Sequence, residues 1–175
     1  MFHFSLPGAS AVTSRKLCLA VLSAGFLAAA GQSVFAHEFK VGDLEIEHPW
    51  SRETPVGARV AGGYFTVKNN GASADRLVAV TSEVSAKAEV HQMAVSDGVM
   101  TMRRVDGGLE IPAGGTVALD PGGYHLMFID LTRQPRKGEN FPATLTFEKA
   151  GSVTVDFAVE GLGESGADAH ESHAD

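Results

Sequence analysis

AEVHQMAVSDGVMTMRRV, residues Ala88–Val105, is the stretch whose reading decides the rest. Asp97-Gly98 sits between two runs of strand-forming residues, and two residues of this type close an antiparallel hairpin. Ala88–Val95 is therefore expected as one strand and Val99–Val105 as its partner. Residues i and i+2 of a strand point to the same face. His91 and Met93 thus share a face on the ingoing strand, and Met100 and Met102 share one on the return. A third pair of the same form, His125-Leu126-Met127, lies in Tyr124–Leu131 (YHLMFIDL). Of the five methionines, the four that follow the initiator all fall in this window. Imidazole and thioether without thiolate form a soft donor set, which favours Cu(I) over Zn²⁺, Mg²⁺ or Ca²⁺.

Outward from the hairpin, the chain reads as short strands separated by Gly/Pro turns. Residues 37–50 (HEFKVGDLEIEHPW) alternate as a first strand with Gly42-Asp43 before it, ended by His48-Pro49-Trp50 because proline cannot donate to a ladder. Ala58–Asn69 is a second strand whose Gly62-Gly63 pair marks a bulge or a close backbone approach. Asp75–Ser82 is a third. Leu109–Gly115 reads as irregular edge and turn, and Val117–Leu119 as a short strand. Residues 132–142 form a polar loop, and Ala143–Glu148 and Ser152–Val159 close the domain as a hairpin. No stretch after residue 36 has the apolar recurrence of a helix. Many short strands with turns about every 8–12 residues indicate a single all-β sandwich or barrel.

The first 36 residues read as a secretory signal peptide. Arg15-Lys16 is its basic start, Leu17–Ala30 its apolar run, and Val34-Phe35-Ala36 its cleavage site; the run is short for a membrane span. The expected divisions are residues 1–36 as signal, 37–160 as the folded domain and 161–175 as an acidic tail bearing His170 and His173. Cleavage near Ala36 leaves 139 residues without a cysteine, since Cys18 lies inside the apolar run. That excludes a disulfide, a thiolate nucleophile and a Cys-based zinc site. It also excludes an electron-transfer blue-copper centre, which needs a cysteine. The mature chain keeps 12 basic against 21 acidic side chains, a net of −9. An acidic surface argues against nucleic acid or anionic membrane as partners.

A lone methionine is ordinarily core filler, and Met93 and Met100 are read that way. Two His-x-Met pairs around a Met-x-Met strand are harder to explain by packing, so His91, Met102, His125 and Met127 are the candidate ligands. His48, beside Pro49 and Trp50, reads as a structural histidine. Met93 stays in reserve as an alternative donor. His37, as the new N-terminus, would pair an α-amine with an imidazole, a Cu(II) chelate, although a residue that merely follows a cleavage site is the plainer reading. His170 and His173 offer a second Cu(II) capacity in the tail, weighed against a simple solvated terminus.

These residues resemble the periplasmic copper chaperone family PCuAC, whose motif is His, ten residues, Met, about 21 residues, then His-x-Met. Here His91, ten residues, Met102, 22 residues and His125-Leu126-Met127 follow that order. The added residue is assigned to the turn Asp106-Gly107-Gly108. VGDLEIEHPW, AGGYF and IPAGGTVALDPGGYHLM belong to the same resemblance. It implies a cupredoxin-like Greek-key β-sandwich, a surface-exposed Cu(I) site in a periplasmic monomer, and delivery of copper to cytochrome c oxidase assembly. The partner would be a copper-accepting oxidase subunit or another copper chaperone. No Ser-His-Asp set, carboxylate pair or phosphate loop points to an enzyme. The alternatives are a copper tolerance or storage protein, a copper-dependent oxidase or oxygenase built on His37, and a metal-free adhesion or interaction sandwich in which the His/Met spacing is chance.

Overall fold

A computed structural model describes residues 38–96 and 98–163, and all of them lie in one compact unit. Eleven strands form one sheet: β1 Glu38–Val41, β2 Leu44–Arg52, β3 Val60–Asn69, β4 Asp75–Ser82, β5 Ser85–Ser96, β6 Val99–Arg104, β7 Leu109–Ile111, β8 Thr116–Leu119, β9 Tyr124–Leu131, β10 Asn140–Phe147 and β11 Gly151–Glu160. Among the described residues there is no helix. The strand order is β6-β5-β9-β8-β3-β2-β11-β10-β4-β7, with β1 attached to β2 and β9 also paired to β3. All pairings are antiparallel except β2–β11 and the single contact of β8 with β9. This is the expected all-β, cupredoxin-like architecture.

The sheet folds over so that its two halves face each other through aromatic side chains. Phe65 of β3 and Phe128 of β9 meet Phe157 of β11 edge-on at 6.3 and 5.6 Å, and Phe128 meets Phe141 of β10 at 5.3 Å. Edge-to-face pairs at such distances are the arrangement that the aromatic quadrupole prefers. Leu126, Leu145, Val155, Ile46 and Ile111 fill the space around them and are fully buried or nearly so. On β9 His125 and Leu126 are both buried, so the alternation along β5 and β9 lies in the face a residue points to, not in its exposure. Val90, Leu126 and Phe128 point into this core, and the residues between them point out.

Three local expectations need correction. Glu38–Val41 is a strand in its own right, joined to β2 by a turn through Gly42 at φ +56°. Pro49 does not end β2. The ladder to β3 slips between Glu47 and Trp50, and His48 takes a left-handed φ of +48°. A bulge leaves its extra residue outside the hydrogen-bond ladder, which is one of the few places a sheet accepts proline. Leu109–Ile111 is a regular edge strand against β4, not irregular chain. By contrast Gly62-Gly63 is a close approach as read: a Cβ on Gly63 would lie 2.6 Å from the Phe128 ring.

His48 behaves as a structural histidine. Its Nε2 lies 3.5 Å from a Glu160 carboxylate oxygen and its ring 6.5 Å from Trp50.

Candidate metal centre

The site is built on three adjacent strands. The hairpin pairs β5 with β6 in the register His91↔Arg104, Met93↔Met102 and Val95↔Met100. Ser96↔Val99 leaves two residues for the turn, with Gly98 at φ +76°, where a glycine carries no steric penalty. The neighbour on the other side of β5 is β9, in the register Glu89↔Met127 and His91↔His125. Directly paired residues of an antiparallel ladder share a face. His91, Met93, Met102, His125 and Met127 therefore lie on one outer face, with Glu89, Arg104, Val95 and Met100 around them. The sequence places β9 at the same rim without fixing where; the fold puts it edge to edge with β5, histidine opposite histidine.

Exposure on this face rises toward the hairpin tip. His125 is 4% exposed and the His91 side chain 16%, whereas Met102 is 47% and Met100 69% exposed. Met100 is thus not core filler, against the expectation from packing. Met93 also lies on the outer face, partly buried and opposite Met102. Met102 is two strand spacings of about 4.8 Å from β9, and its unbranched thioether, with three rotatable bonds, has the freedom to reach across.

The two imidazoles have centroids 6.1 Å apart at an interplanar angle of 38°. Rings bound to one metal through nitrogen at about 2.0–2.1 Å have centroids roughly 5–6 Å apart, depending on the bond angle. The observed separation is close to that range. The His125 Nδ1 lies 3.2 Å from the Gly123 carbonyl, which can only accept, so that nitrogen is the donor, and in the singly protonated ring Nε2 has the lone pair. The same carbonyl accepts the Met93 N–H at 2.9 Å, fixing the corner where β9 meets β5. Among the described residues no three His, Cys, Asp or Glu side chains are arranged to hold a metal. A metal held by the two histidines would need further donors, and the thioethers of Met93, Met102 and Met127 lie on the same face.

Glu89 is the residue of this face that reading by donor type passed over. Its carboxylate is 8% exposed and meets Lys87, His91 Nε2 at 2.9 Å and Arg104 Nη1 at 3.2 Å. Hydrogen bonds from Lys87 and then His91, aided by the Arg104 charge, hold its carboxyl down at about 2 against the opposing effect of burial. The spacing Glu-x-His was the available signal. The turn assigned to the added residue, Asp106-Gly107-Gly108, lies outside the strands, with both glycines at positive φ. His37, His170 and His173 lie outside the described residues, as do residues 1–36, which the sequence reads as a signal. Within the described residues no helix is long and apolar enough to cross a membrane.

Comparison with known proteins places the fold. The chain is 35% identical to the copper-bound PCuAC domain from PmoF2, with a TM-score of 0.63 over 71% of this chain and 98% of that one. It is 25% identical to CuI-DR1885 from Deinococcus radiodurans, with a TM-score of 0.57 over 77% of this chain and 88% of that one. It is also 30% identical over 112 residues to "Putative lipoprotein Lxx21020" of Leifsonia xyli, covering 64% of this chain. It spans just under two thirds of that relative's length and 57% of a second, from Rickettsia prowazekii. The resemblance to PCuAC domains is borne out. Residues 44–159 match the model described as "Putative lipoprotein LpqE-like", and the chain belongs to that family.

Proposed function

We propose that this protein is an exported copper(I) metallochaperone that carries one Cu(I) ion as cargo on His91, Met102, His125 and Met127. The observation that carries the reading is the ladder register. It sets His91 against His125 and brings Met102 and Met127 to the same face of the two strands that flank β5. The PCuAC domain from PmoF2 is described as copper-bound and DR1885 as a CuI form, which supports the same cargo here. Neutral thioethers bind Cu(I) without releasing a proton, whereas a histidine ligand competes with protons. The buried histidines would anchor the ion and half-exposed Met102 would be the ligand an acceptor displaces first. Such a site holds its metal yet can give it up, which suits transfer. The family's lipoprotein description accords with action outside the cytoplasm. Delivery to the copper centres of cytochrome c oxidase follows from the family resemblance, and the acceptor would be an oxidase subunit or an intermediate chaperone.

The test is an anaerobic Cu(I) titration of the mature chain against a chromophoric chelator, repeated on Met102→Leu/Met127→Leu. These volume-conserving changes should each cost less than about 1.5 kcal/mol of stability. One tight equivalent, lost in the double variant, is expected. No tight equivalent, or binding that survives both substitutions, would sink the proposed site. Delivery is tested separately, by oxidase activity in a deletion strain at limiting copper. Unchanged activity there with copper sensitivity alone would favour a tolerance or storage role.

A further inference from the structure

The Nδ1 atom of His91 is buried and makes no hydrogen bond. Leaving a buried polar atom unsatisfied costs about 1–3 kcal/mol, so its persistence at the centre of a donor cluster calls for a reason. The other ring nitrogen is engaged: Nε2 lies 2.9 Å from Oε2 of Glu89. An ionised carboxylate can only accept, so Nε2 holds the proton and Nδ1 of the singly protonated ring carries a lone pair. Glu89 is fixed in turn from both strands of the hairpin. Lys87 on β5 and Arg104 on β6 approach its other oxygen, Oε1. Arg104 is the direct ladder partner of His91, and Glu89 is that of Met127. With its charge matched by two cations and one oxygen on His91, Glu89 is poorly placed to compete for metal itself.

From this arrangement we propose that Glu89 is a positioning residue that makes the Nδ1 nitrogen of His91 the copper donor. The inference rests on the copper reading above and extends it. The two histidines then bind asymmetrically, His91 through Nδ1 and His125 through Nε2, because Gly123 occupies the opposite nitrogen of the second ring. Carboxylate–histidine–metal relays of this form orient the ring and raise its basicity, and their loss typically lowers metal affinity 10–100-fold. The Glu89–Arg104 pair also ties β6, which carries Met102, to the strand that carries His91. One carboxylate thereby sets the ring state of one ligand and the strand position of another.

The experiment is long-range ¹H–¹⁵N correlation of the histidine rings in the ¹⁵N-labelled mature chain, first without metal and then with one anaerobic equivalent of Cu(I). The metal-free protein is expected to show His91 protonated at Nε2. Cu(I) is expected to shift the His91 Nδ1 and the His125 Nε2 signals. Glu89→Leu should lose the tautomer preference and weaken Cu(I) binding 10–100-fold. Glu89→Gln, whose amide oxygen still accepts from Nε2–H, should retain the tautomer and bind within a few-fold of wild type. A metal-free ring protonated at Nδ1, or a Cu(I) shift at Nε2 of His91, would overturn the assignment while leaving the copper site intact. The wild-type spectra decide this even if Glu89→Leu fails to fold. Cu(I) that moved neither ring would instead bring down the copper reading, and the assignment with it.

Discussion

Gly62→Ala is a one-carbon change whose consequence can be worked out from the packing beside the candidate site. Gly62 is the ladder partner of Met127 on β3. A Cβ built there would lie 2.4 Å from the Tyr64 hydroxyl oxygen and 2.9 Å from Cζ, so the tyrosine ring occupies the space the missing side chain leaves. That ring packs on Trp50 at a centroid distance of 4.4 Å and 37° tilt, and the Arg52 guanidinium lies 5.6 Å from the indole centre. Adding the methyl forces Tyr64 to move, an overpacking cost of about 2 kcal/mol. Loss of the aromatic pair adds about 1 kcal/mol. Alanine returns roughly 0.7 kcal/mol by restricting the unfolded chain. The net is a destabilisation of about 2 kcal/mol, or roughly 6–10 °C in Tm for a domain of this size. Trp50 is the chain's single tryptophan, so its fluorescence reports on this stack alone. Thermal melts and Trp50 emission of the mature variant are the assay. Gly163→Ala serves as the control, because nothing lies within 4 Å of its added carbon. A Gly62→Ala protein that melts within about 1 °C of wild type, with unchanged emission, would refute the claim that Tyr64 needs this glycine.

Two further outcomes follow from the geometry. Met100→Leu should leave equilibrium Cu(I) affinity within a few-fold of wild type, whereas Met102→Leu should not, because Met100 sits two ladder positions nearer the tip and is 69% exposed; chelator competition on the two single variants checks this, and equal losses would make Met100 a ligand. At Asp75, burial pushes the carboxyl up, but backbone N–H bonds from Lys149, Arg76 and Ala150 outweigh it and leave the group below its ordinary value of 3.8. A depressed carboxyl stabilises the fold above the unfolded value and loses that contribution as pH falls through the folded one. Asp75→Asn should therefore cost about 1–3 kcal/mol at neutral pH, with the gap to wild type narrowing below pH 3.8 in urea unfolding. A gap constant from pH 7 to 3 would contradict that role.

Much of this molecule is decided locally. The β5–β6 hairpin lies where the Asp-Gly pair in the sequence predicts one, because two residues of that type match the twist of the flanking strands, and β4 and β9 begin and end where alternation and turn residues place them. The donor chemistry of His91, Met102, His125 and Met127, and their order along the chain, is likewise present in the residues alone. Other features belong to the tertiary structure. Nothing within Tyr124–Leu131 dictates that it should pair with β5. That register follows from packing Leu126 and Phe128 against the aromatic core, and a slip of one residue would turn His125 and Met127 inward. Pro49 inside β2 depends on a bulge that exists only against β3. The ion pairs of Glu89 are complete only once β6 brings Arg104 beside it, because a carboxylate's environment lies in which charges surround it. Turn chemistry and side-chain period act over a few residues and can be read in order. Strand pairing and charge clustering join residues far apart in the chain, and the fold as a whole selects them.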